Sequence, residues 1–141
     1  MKPIRIARWL SSALAVAALA AAGGAGAQKT QLTVYTALET DQLKAYQEAF
    51  NKVYPDIELT WVRDSTGIIT AKILAEKAAP KGDVIMGVAA TSMGIFANEG
   101  MLQGYAPPGV DRIPAQYKDS QNPPRWVGMD VWGATICFNT V

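Results

Sequence analysis

The stretch Trp61-Val62-Arg63-Asp64-Ser65-Thr66-Gly67-Ile68-Ile69-Thr70 decides how this chain is read. Upstream of it Ile57, Leu59 and Trp61 alternate along a β-rich run over residues 57–62. The run breaks at Asp64 into a turn of hydroxyls and glycine, and a helix is predicted over residues 66–79, with Ile69, Ile73 and Leu74 toward a core and Pro80 as its stop. The first backbone N–H groups of a helix have no internal partner and carry the positive end of the helix dipole. With Ser65 and Thr66 adding donors, a phosphate-like group fits such a start. Binding is therefore a better expectation than bond cleavage.

The same alternation extends in both directions. Residues 32–36 are a short β-rich run, and residues 40–53 place Leu43, Tyr46, Phe50 and Val53 on one helical face, with Pro55 beyond the end. Residues 84–88 are a continuous apolar run of strand length, expected to be covered on both faces, and residues 91–98 read as a third helix closed by Gly100. From 103 to 124, Pro107, Pro108, Pro114, Pro123 and Pro124 make a long connection, after which residues 126–129 and 132–139 resume strand character. The order βαβαβα predicts an α/β fold, a mostly parallel sheet with helices on both faces and ligands beyond the carboxyl ends of its strands.

That rule selects three strand-to-helix turns: Thr36-Ala37-Leu38-Glu39, Asp64-Ser65-Thr66-Gly67 and Ala89-Ala90-Thr91-Ser92. Each has a structural reading beside the functional one. Thr36 and Glu39 match a capping box; with Thr40 as the N-cap instead, Glu39 turns into the cleft to meet a cation. Ser65, Thr66 and Gly67, and likewise Thr91 and Ser92, also serve as ordinary helix starts. Asp130, between Trp126 and Trp132, fits either a turn or the cleft, and the two tryptophans fit a core. Arg63 precedes its turn and is expected to face away.

Residues 1–27 read as a secretory signal: Lys2, Arg5 and Arg8, then an apolar Ala/Leu run from Trp9, then Ala25-Gly26-Ala27 as the cleavage site. The run is too short for a permanent membrane span, which needs roughly 20 apolar residues. No cysteine lies near the cleavage site to take a lipid anchor, so a freely diffusing periplasmic protein is expected. Residues 28–141 then carry ten Lys/Arg and twelve Asp/Glu, a net charge of −2 that does not suggest nucleic acid. Cys137 is the only cysteine, so the fold relies on its core rather than on internal disulfides. The sequence contains no histidine, the commonest general base and metal ligand. It also lacks the glycine-rich phosphate-loop spacings in the exported part. Neither catalysis, nor a metal site, nor a cofactor is expected.

Val34-Tyr35-Thr36-Ala37-Leu38-Glu39, the run from Trp61 to Gly67, Asp83-Val84, Glu99-Gly100-Met101-Leu102 and Trp126-Val127-Gly128-Met129-Asp130 resemble the periplasmic substrate-binding proteins of ABC transporters. More narrowly, they are similar to the 2-aminoethylphosphonate-binding subgroup, which lies close to the ferric-iron and extracellular solute-binding group. The resemblance implies a type II fold of two lobes that close about a hinge. It makes residues 28–141 the N-terminal part of lobe one, truncated near the first hinge strand. It further implies an ABC permease as partner and a monomeric binding protein that is not an enzyme. For 2-aminoethylphosphonate, Ser65, Thr66 and the Gly67 amide would hold the oxyanion, with Thr36 or Thr91 assisting, and Glu39 or Asp130 would meet the ammonium. Two alternatives stay open. One is the same fold carrying ferric iron or another small anion, iron being held by paired tyrosines later in the chain; the other is an exported α/β enzyme that handles phosphoryl groups.

Overall fold

The computed structural model describes residues 29–133 and 135–140, so the leader expected over residues 1–27 lies outside the described residues. Six regular elements alternate as the sequence predicts: β1 (Thr30–Thr36), α1 (Thr40–Val53), β2 (Ile57–Arg63), α2 (Thr66–Ala75), β3 (Val84–Met86) and α3 (Ala90–Asn98). Two 3₁₀ turns follow, Val110–Arg112 and Ala115–Tyr117.

The three strands form one parallel sheet in the order β2-β1-β3. Register sets which side chains share a face, because paired residues of neighbouring parallel strands point the same way. Tyr35 lies between Val62 and Ile85, and this face meets Ile69 and Ile73 of α2 and Phe96 of α3. Phe96 and Ile69 are fully buried there. Val34 lies between Trp61 and Val84 on the opposite face, where Trp61 Nε1 donates to Gln47 Oε1 of α1 at 2.6 Å. Helices thus cover both faces. The strand buried on both sides is β1, not the apolar run at 84–88: β3 is an edge of the described sheet and Val84 is exposed.

Other details depart from the sequence expectation for local reasons. α2 ends at Ala75, four residues before the predicted end at residue 79, because Lys77 and Ala79 bond to the carbonyls three residues back, of Leu74 and Glu76. β3 ends at Met86 because Gly87 takes φ of 63°, outside the strand region. α3 starts one residue early, at Ala90, and closes at Gly100 as predicted: φ is 69° there, and the Met101 N–H reaches back to the Phe96 carbonyl at 2.9 Å. On α1 only part of the predicted face is covered, with Leu43 and Phe50 half-buried but Tyr46 39% and Val53 66% exposed. The strands predicted at 126–129 and 132–139 do not form among the described residues. A strand needs a ladder partner for its backbone groups, and here one antiparallel bridge, Lys118 to Val127, is all that forms.

An ion pair between half-buried Arg125 and buried Asp119 fastens the proline-rich connection to this frame. Arg125 Nε and Nη2 donate to the two carboxylate oxygens of Asp119 at 2.6 and 3.2 Å, and Nη1 donates to the Ala97 carbonyl at the end of α3 at 3.0 Å. The guanidinium holds the Asp119 carboxyl down at about 2, well below the usual carboxylate value. The loop is therefore docked on α3, which places Trp126 to Trp132 alongside the carboxyl ends of the strands.

Candidate functional site

The carboxyl ends of β1 and β2 open into a cleft of about 500 Å³, lined by Glu39 and Gln42 from the start of α1, Arg63 to Thr66 from the β2–α2 turn, and Gly87, Asp130 and Trp132. Gly87 is required where it stands. Its φ is positive, and a Cβ there would collide with the side chain of Leu38, which is buried beneath the β1–α1 turn. The contact fixes the turn after β1 against the turn after β3. The Thr36 carbonyl accepts the Asp64 N–H at 3.2 Å and ties the first turn to the second.

The helix starts on this rim differ in how they are filled. α1 uses its own acids: Glu39 is the N-cap, Asp41 lies in the first turn, and Gln42 Oε1 accepts the Glu39 N–H at 3.0 Å. The capping box expected of Thr36 with Glu39 does not form, and Thr40 is not the N-cap; the box that forms is Glu39 with Gln42, three residues on. α2 has Ser65 as its N-cap with no side-chain cap bond and no acid in its first turn. Its leading amides, at Thr66, Gly67 and Ile68, are the unpaired donors of a helix start. Asp64 bends back to accept the Ser65 N–H at 2.7 Å, which leaves the Ser65 hydroxyl outside that contact. α2 is held in place from behind: Thr70 Oγ1 donates to the Thr66 carbonyl at 2.6 Å and so accepts the hydroxyl of buried Ser92 on α3, 2.9 Å away.

Of the residues expected to form the site, the structure brings Glu39, Ser65, Thr66 and Asp130 into the cleft lining. Gly67 follows them as the second residue of α2, exposed and with open space around its α-carbon, so no backbone constraint demands glycine there. Thr36 is fully buried, and its Oγ1 accepts the Leu38 N–H at 3.1 Å, shaping the turn rather than facing the cleft. Thr91 is exposed in the first turn of α3, outside this lining. Trp126 is half-buried, whereas Trp132 is 68% exposed and lines the cleft, so it is not a core residue.

Arg63 contradicts its expectation. It lines the cleft, with Nη2 donating to Glu39 Oε2 at 2.7 Å and Nε to the Leu38 carbonyl at 3.0 Å. A sequence signal for this existed. Ile57, Leu59, Trp61 and Arg63 alternate onto one face of β2, the face α1 covers, so Arg63 emerges beside the start of α1. The lining thus carries three carboxylates, Glu39, Asp64 and Asp130, against one guanidinium. Among the described residues no group of three His, Cys, Asp or Glu side chains is placed to hold a metal ion, and no helix is long and apolar enough to cross a membrane.

No protein-family model matches the chain. In sequence it is 31% identical over 112 residues to a probable ABC transporter periplasmic-binding protein, y4fP, of Sinorhizobium fredii, a match covering 79% of this chain and 31% of the relative. It is 30% identical over 119 residues to an uncharacterized protein of Haemophilus influenzae, covering 84% of this chain and 34% of that one. The chain therefore spans about a third of the length of the curated relatives it matches. In structure it is similar to the periplasmic binding protein P5PA, with a TM-score of 0.57 and 28% identity over 63% of this chain and 28% of the other. It is also similar to the periplasmic binding protein AfuA of Actinobacillus pleuropneumoniae, solved with exogenous fructose-6-phosphate bound, with a TM-score of 0.59 and 27% identity over 71% of this chain and 30% of AfuA. Across that third of their length, the parallel α/β unit described here is similar in sequence and in fold to periplasmic binding proteins of ABC transporters.

Proposed function

We propose that this chain is part of the periplasmic solute-binding component of an ABC importer, supplying the N-terminal part of its first lobe over residues 28–141 and delivering 2-aminoethylphosphonate or a similar organophosphonate to a membrane permease. Residues 1–27 serve as its export signal. Binding is capture by lobe closure with no bond broken. The observation that carries this reading is the composition of the cleft. The start of α2 presents open backbone donors and two hydroxyls, yet three carboxylates stand within the same lining against one arginine. A plain oxyanion would suit the first feature and be repelled by the second. A ligand with an oxyanion at one end and an ammonium at the other satisfies both. In this pose the phosphonate takes the Ser65 and Thr66 hydroxyls and the amides of Thr66 and Gly67, while the ammonium takes Glu39 or Asp130 by charge-assisted hydrogen bonds. Thr36 acts indirectly, by holding the turn that presents Glu39.

A second reading has its own observation. AfuA was solved with fructose-6-phosphate bound, and the cleft carboxylates here could accept sugar hydroxyls while the α2 start holds a phosphate. Titration calorimetry on the purified full-length protein separates the two, using 2-aminoethylphosphonate, ethylphosphonate, fructose-6-phosphate, inorganic phosphate and ferric citrate in turn. Saturable binding of 2-aminoethylphosphonate, with fructose-6-phosphate at least about tenfold weaker, a difference of 1.4 kcal/mol, is the expected result. Tighter binding of the sugar phosphate would replace the cargo, and binding of iron alone would overturn the phosphorus oxyanion altogether.

A further inference from the structure

The pairing of Arg63 with Glu39 inside the cleft points to a use beyond holding two turns together. We propose that this ion pair is a built-in stand-in for a zwitterionic ligand: the ligand binds by exchange, its oxyanion taking over Arg63 and its ammonium taking over Glu39, so that the pair discriminates zwitterions from plain anions. The inference rests on the phosphonate reading above and adds a specificity mechanism and a further binding residue to it.

Arg63 Nη2 and Glu39 Oε2 are 2.7 Å apart at the cleft wall, with side-chain exposures of 38% and 73%. A pair so open to solvent gains little by staying closed, so separating it costs little. The Arg63 Nε bond to the Leu38 carbonyl holds the guanidinium at the wall when Glu39 lets go. Its Nη1 donors have no protein partner among the described residues, and a guanidinium presents its donors as a fork suited to a phosphonate edge. Glu39 belongs to the capping box of α1, with its backbone N–H donating to Gln42 Oε1 and its side chain facing the Gln42 backbone, so it stays held at the helix start when Arg63 lets go.

Exchange has opposite consequences for the two ligand types. A zwitterion replaces both halves of the pair and leaves no charge without a partner. A plain phosphonate must displace Glu39 from Arg63, then sits beside a carboxylate that has lost its cation, with Asp64 and Asp130 also in the lining. Like charges at such range raise the cost of the bound state. Glu39 is thus an internal competitor that only an amine-bearing ligand can satisfy.

The test measures the affinities of 2-aminoethylphosphonate and ethylphosphonate, which lacks the amine, for the full-length wild type, Glu39→Gln, Arg63→Gln and Arg63→Lys, with circular dichroism to confirm that each is folded. The wild type should prefer the zwitterion by at least roughly tenfold, the scale of one charge-assisted hydrogen bond. Glu39→Gln should move the two ligands in opposite directions, 2-aminoethylphosphonate weaker and ethylphosphonate tighter, bringing the ratio to within about threefold. Arg63→Gln should weaken both, and Arg63→Lys should recover part of the loss, because charge is kept and the fork is not. If ethylphosphonate weakens or stays unchanged in Glu39→Gln, the exchange proposal is overturned while the phosphonate reading stands. A wild type that binds neither ligand overturns that reading and, with it, the proposal.

Discussion

The two faces of the sheet are built to different standards. Beneath α2 and α3, Tyr35, Ile69, Ile73 and Phe96 form a closed apolar cluster, and Thr70 meets Ser92 between the helices. Beneath α1 no helix residue is buried, the cross-face bond runs from Trp61 to Gln47, and Tyr46 and Val53 face outward. The cleft draws one component from each side. Its backbone donors belong to the start of α2, on the closed face; its paired charges, Glu39 and Arg63, lie beside the start of α1, on the open one. Fixed dipoles need a rigid support because their value lies in not having to reorganise, whereas side chains that exchange partners need room. On the exchange proposed above, the tight packing serves the first task and the loose packing the second.

The largest effect is expected of Phe96→Ala. Removing a fully buried ring should cost about 3–5 kcal/mol of unfolding free energy in denaturant titration. A cost below about 1 kcal/mol would show that the cluster does not hold the α2 side. Gly87→Ala probes where the faces meet, since the added Cβ meets Leu38 and the backbone is left-handed; a loss of about 1–3 kcal/mol is expected. Neutral behaviour would mean that the Leu38 turn is not locked.

Tyr35→Phe comes next. Its phenol donates to Glu76 Oε2 at 2.7 Å, and burial, with the carboxylate beside it, pushes its pKa up to about 12. The folded state holds this proton more tightly than the unfolded chain, where tyrosine titrates near 10. The contribution is therefore whole below about pH 10 and lost as pH rises through 12. Tyr35→Phe should cost about 1 kcal/mol at neutral pH and remove that segment of alkaline destabilisation. An unchanged alkaline profile would place the sensitivity elsewhere. Smallest of all, Val53→Ser on the open face should stay within about 0.5 kcal/mol. A loss as large as that of Phe96→Ala would mean that the outer side of α1 is covered in the intact protein.

Much of this was legible in residue patterns. Bounds of 40–53 for the first helix and the βαβαβα order followed from apolar periods of two and 3.6, because each element has to bury a face in this sheet. The start of α2 was legible for the same reason: a strand pattern that ends at Val62 and a helical one that begins at Thr66 leave only the turn between. What escaped depended on contacts distant in sequence. Arg63 meets Glu39 across 24 residues, Leu38 needs Gly87 across 49, and Thr36 is buried beneath its own turn. The apolar runs at 126–129 and 132–139 misled for a complementary reason, since β propensity describes fit to a neighbouring strand and cannot supply that neighbour.

In the proposed complex the start of α2 receives an oxyanion. A crystal structure of the full-length protein with 2-aminoethylphosphonate bound tests it most directly. Phosphonate oxygens should lie within about 2.7–3.2 Å of the Thr66 and Gly67 amides, with Arg63 turned from Glu39 toward the ligand. A phosphonate bound elsewhere, with those amides facing solvent and the Arg63–Glu39 pair intact, would contradict it.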